Sequence, residues 1–250
     1  EGEIEFRDVS FRYPGAAESV LENVSFKAGK GETVAFIGST GSGKSTLINL
    51  VPRFYDVTDG QILVDGVDVR DYELEALHGK IGYVPQKATV FSGTVHSNVN
   101  YGDTSGDRTA EDVKKAVAIA QGKDFVERME DGYEGMISES GTNLSGGQKQ
   151  RISIARAICR RPEFYIFDDS FSALDYKTDR VLRDALRKET SGVTSLIVAQ
   201  RIGTIMDADT IVVLDEGRVA GIGRPGDLLK TCEVYRNIAL SQLSEEELMR

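Results

Sequence analysis

The stretch that decides the fold is Gly38-Ser-Thr-Gly-Ser-Gly-Lys44-Ser45, which fits the pattern G-x-x-x-x-G-K-[ST]. An apolar run at residues 33–37 comes directly before it and predicts a buried strand, and residues 45–51 predict a helix. In this order the glycines let the backbone wrap a phosphate with its N–H groups. Lys44 reaches the outer phosphates, and the Ser45 hydroxyl is a ligand for Mg²⁺. An ordinary glycine turn is the alternative, and the strand–loop–helix order argues against it.

A second strand candidate ends in a carboxylate at Phe164-Tyr-Ile-Phe-Asp168. In nucleotide-hydrolysing proteins with such a phosphate loop, an Asp at this place holds Mg²⁺ directly or through water. Many strands end in Asp, so this pattern alone is weak. Downstream of the phosphate loop it favours a site for Mg²⁺ and a nucleoside triphosphate.

Composition excludes several classes of protein. The 250 residues carry 40 acidic and 30 basic side chains, a net charge of -10, which works against nucleic acid as a partner. No apolar run is long enough to span a bilayer. Cys159 and Cys232 match no metal or redox spacing and are interpreted as reduced thiols. His78 and His96 are too few for a His-based metal site, so a zinc protein and a disulfide scaffold are disfavoured.

Apolar patterning predicts an α/β architecture, because short apolar runs alternate with helical periodicity. Residues 113, 116, 117 and 120, for example, form one apolar helix face. Strands are predicted at residues 4–6, 9–13, 24–27, 33–37, 61–64, 164–167, 195–198 and 210–214, and helices at 45–51, 113–120, 147–160 and 180–189.

The pentapeptide Leu144-Ser-Gly-Gly-Gln148 lies shortly before the strand that ends at Asp168. Its Ser and Gly residues are placed at a predicted helix start, where unpaired N–H groups and the helix dipole attract anions. A Ser-capped helix with no further role is the alternative. Together with the phosphate loop, the pentapeptide resembles the signature of the ATP-binding-cassette (ABC) ATPases.

The resemblance covers essentially the whole chain and implies a fold. It is a P-loop NTPase (RecA-like) core with an antiparallel β subdomain and an inserted α-helical subdomain. Residues 1–250 would then form a single ABC ATPase domain. Residues 1–86 and 160–250 would make the core and the β subdomain, and residues 87–159 the helical subdomain that carries the signature.

The same resemblance implies roles for individual residues. Tyr13 is similar to the aromatic residue that stacks on adenine, with a strand tyrosine packed on the core as the alternative. Gln86 is similar to the residue that senses Mg²⁺ and couples to the membrane domains. The implied ATP-binding set is Tyr13, Gly38, Ser39, Thr40, Gly41, Ser42, Gly43, Lys44, Ser45, Thr46 and Gln86, and the Mg²⁺ ligands are Ser45, Gln86 and Asp168. The signature residues that act on a partner's ATP are Leu144, Ser145, Gly146, Gly147 and Gln148, and the D-loop at the dimer interface is Ser172, Ala173, Leu174 and Asp175.

Two positions depart from the family pattern. Asp169 stands where the family usually has a catalytic Glu, and Gln200 stands where it usually has a switch His. Asp is one methylene shorter than Glu, and a misplacement of about 1 Å costs roughly 100-fold in rate. Gln200 donates a hydrogen bond but carries no imidazolium charge and shuttles no proton. The pair therefore predicts a site that binds ATP and hydrolyses it slowly, with engineered substitutions as the alternative.

Further stretches resemble the exporter branch of the family, namely residues 91–95, residues 98–102, and Glu139 with Gly141. The resemblance implies a heterodimeric exporter. This chain would be an excised cassette of it that lies on the cytoplasmic face of the membrane. Its partners would be transmembrane domains and a different cassette that carries the Glu and the His. A non-transport ABC ATPase is disfavoured by the missing coiled-coil insertion and the acidic balance, and a stand-alone importer subunit by the exporter-like stretches.

Overall fold

A computed structural model describes residues 1–103 and 105–249. Helices and strands alternate along the chain, which confirms the predicted α/β class. The strands are β1 (Ile4–Phe11), β2 (Leu21–Ala28), β3 (Thr33–Gly38), β4 (Asp59–Val64), β5 (Val67–Asp68), β6 (Ile81–Val84), β7 (Gly93–Thr94), β8 (Met136–Ile137), β9 (Phe164–Asp168), β10 (Thr194–Val198), β11 (Thr210–Asp215) and β12 (Arg218–Gly223). The helices are α1 (Lys44–Asn49), α2 (Leu74–Gly79), α3 (Val95–Val99), α4 (Ala110–Ile119), α5 (Lys123–Arg128), α6 (Gly146–Cys159), α7 (Tyr176–Glu189), α8 (Ile202–Ile205), α9 (Pro225–Thr231), α10 (Glu233–Gln242) and α11 (Glu245–Leu248).

The chain divides into two compact units. The first unit consists of Glu1–Ile81 and Gly192–Arg250, and the second is the intervening segment Gly82–Ser191. The subdivision at residues 87–159, which rests on the family resemblance, stays a prediction. Each unit has its own buried apolar side chains, so each is described by itself.

The first unit contains an antiparallel sheet in the order β2-β1-β4-β5. Its central strand β1 carries a bulge, because the pairing with β2 shifts register between Phe6 and Val9. Asp8 sits in the bulge with φ of 46°, and its N–H donates to the Ser25 hydroxyl at 2.9 Å. A short polar side chain tolerates this left-handed backbone better than an apolar one.

This bulge corrects one prediction about the N-terminal strands. Residues 4–6 and 9–13 were expected to form two strands separated by turn residues, but they belong to the single strand β1, which ends at Phe11. The polar residue that breaks the apolar alternation is accommodated by the bulge, so pairing continues on both sides of it.

The first unit also contains four adjacent strands in the order β12-β11-β3-β10. β3 pairs in parallel with β10 on one side and β11 on the other, and β12 closes the set in antiparallel pairing with β11. The residues of β3 from Val34 to Ile37 are buried, as expected for a parallel strand covered on both faces. The carboxyl end of β3 therefore holds the phosphate loop on a rigid support.

The second unit is mainly helical, with β9 lying beside β6 and a short pairing of β7 with β8. The predicted apolar face of α4 is confirmed, because its members at positions 113, 116, 117 and 120 are all buried. Every residue of β9 is buried as well. Helix α7 begins at Tyr176, four residues before the prediction, because Asp175 caps it.

Both cysteines are free thiols with buried side chains, Cys159 in the second unit and Cys232 in the first. Burial raises the pKa of the Cys159 thiol. Across residues 1–103 and 105–249, no helix combines the length and the apolar character that crossing a bilayer requires.

Two isoleucines of the β11–β12 pair test this packing. Ile211 is fully buried, whereas Ile222 on the neighbouring strand is 44% exposed. We expect Ile211→Ala to lower the free energy of unfolding by about 2–5 kcal/mol, because it leaves a cavity in the core. The matched control Ile222→Ala should cost less than about 1 kcal/mol. Urea titration followed by circular dichroism measures both, and equal losses would contradict the assigned burial.

Candidate functional site

The phosphate loop joins β3 to α1, and its glycines are required by the backbone. Gly41 and Gly43 have φ of 80° and 98°, a left-handed region that costs other residues free energy. A Cβ on Gly38 would lie 2.3 Å from the Leu214 carbonyl oxygen, closer than any real contact. Glycine therefore avoids a backbone clash at residue 38 and backbone strain at residues 41 and 43.

Lys44 is the first residue of α1, and its side chain returns over the loop. Its Nζ donates to the carbonyl oxygens of Gly38 at 2.5 Å and Ser39 at 3.1 Å, and lies 3.5 Å from the Ser42 hydroxyl. Only 9% of the residue is exposed. A buried ammonium group beside a loop of this shape is suited to bind phosphate oxygens.

Tyr13 lies next to the phosphate-loop helix in the first unit. Its hydroxyl shares a hydrogen bond of 2.8 Å with the Thr46 hydroxyl on α1. Its ring makes edge contacts with Phe11 and Tyr55 at centroid distances of 4.8 and 5.1 Å. Tyr13 is half-buried, so part of its surface is accessible. The structure thus brings the predicted adenine-stacking residue together with the predicted ATP-binding residue Thr46.

Gln200 follows β10 in the first unit and is exposed. Its backbone carbonyl accepts a hydrogen bond of 2.6 Å from Gln242 Nε2, and the Ile202 N–H donates to Gln242 Oε1 at 2.8 Å. Sequence patterns did not single out Gln242, because it lies 42 residues away at the end of α10 and matches no motif.

In the second unit, the neighbouring carboxylates of Asp168 and Asp169 at the end of β9 differ in environment. Asp168 ends the strand and is 8% exposed, whereas Asp169 is half-buried and has φ of 50°. Gln86 Nε2 donates to Asp169 Oδ2 at 3.2 Å, so these two predicted site residues meet directly. The separation of 83 residues between them explains why sequence patterns did not reveal this contact.

The segment before Gln86 is also fixed from the second unit. The buried Ser170 hydroxyl donates to the Val84 carbonyl at 2.6 Å. Gln150 on α6 lies with Nε2 3.5 Å from the Pro85 carbonyl. Burial, and secondarily the charge of Asp168, raises the pKa of Tyr83 to about 12, so its hydroxyl stays protonated at neutral pH.

The signature pentapeptide forms the start of α6, as the sequence predicted. Ser145 accepts from the Gln148 N–H at 3.1 Å, and the Ser145 N–H donates to Gln148 Oε1 at 3.0 Å, which is a capping box. Ser145 and Gly146 are exposed, and a Cβ on Gly146 would meet no atom within 4 Å. Packing against residues 1–103 and 105–249 therefore does not require glycine at residue 146.

The D-loop residues lie between β9 and α7. Asp175 accepts from the Thr178 N–H and hydroxyl, both at 2.8 Å, and these hydrogen bonds lower the pKa of its carboxyl. Leu174 is buried, whereas Ser172 and Ala173 are exposed. A Cβ on Gly147 would lie 3.3 Å from the Ala173 carbonyl oxygen, so the D-loop contacts the signature.

The stretch at residues 91–102 is organised by the buried side chain of Asn98 and the half-buried side chain of Arg156. Asn98 is 1% exposed and exchanges hydrogen bonds of 2.8 Å with both backbone groups of Phe91. Arg156 on α6 donates to the carbonyls of Thr89 and Asn98 at 2.8 Å and lies over the Phe91 and Tyr101 rings. Glu139 is exposed, and Gly141 has φ of 65° with no room for a Cβ beside Val90.

The side chains that the family resemblance assigns to Mg²⁺ binding all offer oxygen atoms. Within the described part of the chain, no cluster of three or more His, Cys, Asp or Glu residues is arranged to hold a metal. The predicted ligands Ser45, Gln86 and Asp168 offer a hydroxyl, an amide oxygen and a carboxylate. These are hard donors that fit Mg²⁺, which keeps several waters and needs few protein ligands.

Comparison with known proteins identifies relatives of this sequence. A family profile described as ABC transporter matches residues 21–172. An uncharacterised ABC transporter ATP-binding protein of Mycobacterium tuberculosis is 44% identical over 242 residues, which are 96% of this chain and 41% of the relative. An ATP-dependent lipid A-core flippase of Aromatoleum aromaticum is 44% identical over 245 residues, or 98% and 41%. The chain thus spans about two fifths of the length of these relatives.

Two further similarities extend this result. The YgaD protein of Bacillus subtilis, named a putative multidrug export ATP-binding/permease protein, is 42% identical over 95% of this chain and 40% of its own length. Among solved structures, a bacterial Atm1-family ABC exporter with ATP bound superposes with a TM-score of 0.92 at 37% identity. That match covers 97% of this chain and 42% of the exporter chain. The α/β fold of an ABC ATPase, which the sequence predicted, is therefore confirmed.

The cap at Asp175 gives a test that depends on pH. We expect Asp175→Ala to lower the melting temperature at pH 7 by about 2–4 °C, because α7 loses its N-cap. The folded-state pKa is depressed, so the carboxylate stabilises the fold above the ordinary Asp pKa of about 3.9. The difference should shrink as pH falls through the lowered folded value.

Asp175→Asn is the matched control, because an amide oxygen still caps the helix. Differential scanning calorimetry from pH 7 to pH 3 measures all three proteins. A gap between wild type and the alanine variant that stays constant with pH would show that the charge contributes nothing.

Proposed function

Since this chain belongs to the ABC transporter family, we propose that it is the ATP-binding cassette of an exporter, in which ATP binding and hydrolysis drive transport. The observation that carries the proposal is the phosphate loop at the carboxyl end of β3. Its left-handed glycines at 41 and 43 and the buried ammonium group of Lys44 are the features that bind the phosphates of a nucleotide.

The exporter assignment is supported by the names of the relatives. They include lipid A-core flippases, a putative multidrug exporter and an Atm1-family exporter. It is also supported by the ordered stretch at residues 91–102, which the sequence analysis associated with the exporter branch. The partners in this proposal are transmembrane domains, and the cassette lies on the cytoplasmic face of their membrane.

A second cassette is the other partner in this proposal. Each ATP then lies between the phosphate loop of one chain and the signature of the other. The exposed helix start at Ser145 and Gly146 supports this role, because a Cβ on Gly146 would meet no other atom of the described residues within 4 Å. Exposed N–H groups at the start of the 14-residue helix α6 are suited to bind a partner's phosphate.

We further propose that the phosphate-loop site of this chain hydrolyses ATP slowly. The side chain of Asp169 is one methylene short of the usual Glu, and Gln86 already donates to one of its carboxylate oxygens. Gln200 is neutral at every pH and shuttles no proton. A partner cassette with Glu and His at the two corresponding positions would then hold the faster site of a heterodimer.

Mg²⁺ belongs to this proposal as the ion bound with ATP. Ser45, Asp168 and Gln86 would hold it through oxygen atoms, and the ion would neutralise charge on the phosphates. Lys44 contributes a fixed positive charge, and Tyr13 offers a ring surface to the base. Asp169 and Gln200 orient a water molecule within the limits set by their lengths and charges.

Nucleotide binding is tested by Lys44→Ala. We expect this variant to weaken Mg·ATP binding by about 100-fold, because a buried charge that meets the phosphates is lost. Lys114→Ala is the matched control, since Lys114 is exposed and pairs only with Glu111 across one turn of α4 among its described ion pairs. Isothermal titration calorimetry with Mg·ATP measures the affinity, and equal affinity of both variants would contradict the proposed site.

The slow-hydrolysis proposal is tested by Asp169→Glu combined with Gln200→His. We expect the pair to raise kcat for ATP by about 10- to 100-fold, because the carboxylate then reaches the attacking water and an imidazole replaces the amide. Asp215→Glu is the control, since Asp215 lies at the end of a strand, as Asp169 lies directly after one, but is exposed. A coupled phosphate-release assay measures kcat.

Two results would contradict the slow-hydrolysis proposal. One is rapid turnover by the wild-type chain without a partner cassette. The other is an unchanged kcat in the doubly substituted chain when its Mg·ATP affinity is intact, since the missing methylene and imidazole would then not be limiting.

A further inference from the structure

Gln242, the last residue of α10, bonds to the backbone on both sides of Arg201. Its Nε2 donates to the Gln200 carbonyl at 2.6 Å, and its Oε1 accepts from the Ile202 N–H at 2.8 Å. One amide group thus satisfies a carbonyl and an N–H two residues apart. We call this pair of hydrogen bonds the Gln242 clamp.

The clamp supplies what the local chain lacks. Ile202 is the first residue of the short helix α8, whose N-cap Arg201 makes no capping bond with its side chain. The first N–H groups of a helix have no intrahelical acceptor, so they need one from elsewhere. Gln242 Oε1 is that acceptor for Ile202. On the other side of the segment, the Ala199 N–H lies 3.4 Å from the Phe36 carbonyl of β3.

Helix α10 is held in place by buried residues, although the side chain of Gln242 is exposed. Tyr235 and Ala239, on the inner face of α10, are almost completely buried. Gln242 itself is exposed and contributes nothing to the apolar core. Its contacts with the backbone at residues 200 and 202 are therefore the feature of the structure that explains an amide at this place.

We propose that Gln242 is a positioning residue for the switch side chain of Gln200. The clamp fixes the carbonyl of Gln200 and the N–H two residues later, and so fixes the direction in which the Gln200 side chain leaves the backbone. This role rests on the proposed function, because Gln200 acts only if the first unit binds and hydrolyses ATP. Helix α10 thereby acts on the switch position through the backbone.

Three variants of the whole chain distinguish the effects of the two hydrogen bonds of the clamp from each other and from effects on packing. Gln242→Ala removes both hydrogen bonds. Gln242→Glu keeps an acceptor for the Ile202 N–H but removes the donor to the Gln200 carbonyl. Ser241→Ala is the control, because the Ser241 hydroxyl donates only to Ile238 in its own helix, among the contacts that the structure describes.

Two measurements are made on each variant. Hydrogen–deuterium exchange reports the protection of the Ile202 amide, and a phosphate-release assay gives kcat and KM for Mg·ATP. We expect Gln242→Ala to lower kcat by about 10-fold at unchanged KM, because the switch side chain is misplaced while nucleotide binding is intact. Exchange at Ile202 should become about 10-fold faster. Gln242→Glu should lower kcat and retain the protection, and Ser241→Ala should match the wild type.

Specific results would overturn the positioning role. The positioning role is contradicted if Gln242→Ala binds Mg·ATP normally and its kcat is within two-fold of the wild-type value. If Gln242→Ala proves too unstable to assay, an unchanged kcat in Gln242→Glu removes it instead. Failure of the wild-type chain to bind Mg·ATP in calorimetry would overturn the proposed function, which is a separate result.

Discussion

The site in the first unit depends on the close approach of Gly38 to the Leu214 carbonyl, at the carboxyl end of β3. β3 is paired in parallel with β10 and β11 and is buried from Val34 to Ile37, so its end is held in a fixed place. Only a hydrogen atom fits between Gly38 and its neighbour. The phosphate loop, Lys44 and the segment that carries Gln200 all extend from these three strands, and their positions follow from this packing.

The two departures from the family pattern lie in different units and have different surroundings. Asp169 is bonded to Gln86 and has a left-handed backbone in the second unit, whereas Gln200 is exposed in the first unit and held through its backbone. Asp in place of Glu shortens the side chain that carries the carboxylate. Gln in place of His removes a group that can become positively charged. In the proposed function, these two changes weaken water activation and leave the phosphate-binding features unchanged.

Much of the fold and part of the candidate site follow from local sequence. The glycine spacing at 38, 41 and 43 identified the loop because backbone conformation is a property of adjacent residues. The bulge at Asp8 was missed because a polar residue inside an apolar alternation is equally compatible with a turn. The contacts of Gln242 with Gln200 and of Gln86 with Asp169 were missed because they join residues 42 and 83 positions apart. Such pairs leave no periodic signal, and only the folded backbone brings them together.

The burial of both cysteines has a practical consequence for spectroscopy on this protein. A thiol must ionise and be accessible to react with an alkylating reagent, and burial opposes both at Cys159. The native thiols should therefore react slowly, so that one cysteine introduced at an exposed position outside the signature, such as Lys114 on α4, would be labelled selectively. Fluorophores attached there would measure, as energy transfer, the approach of two cassettes that the proposed function requires.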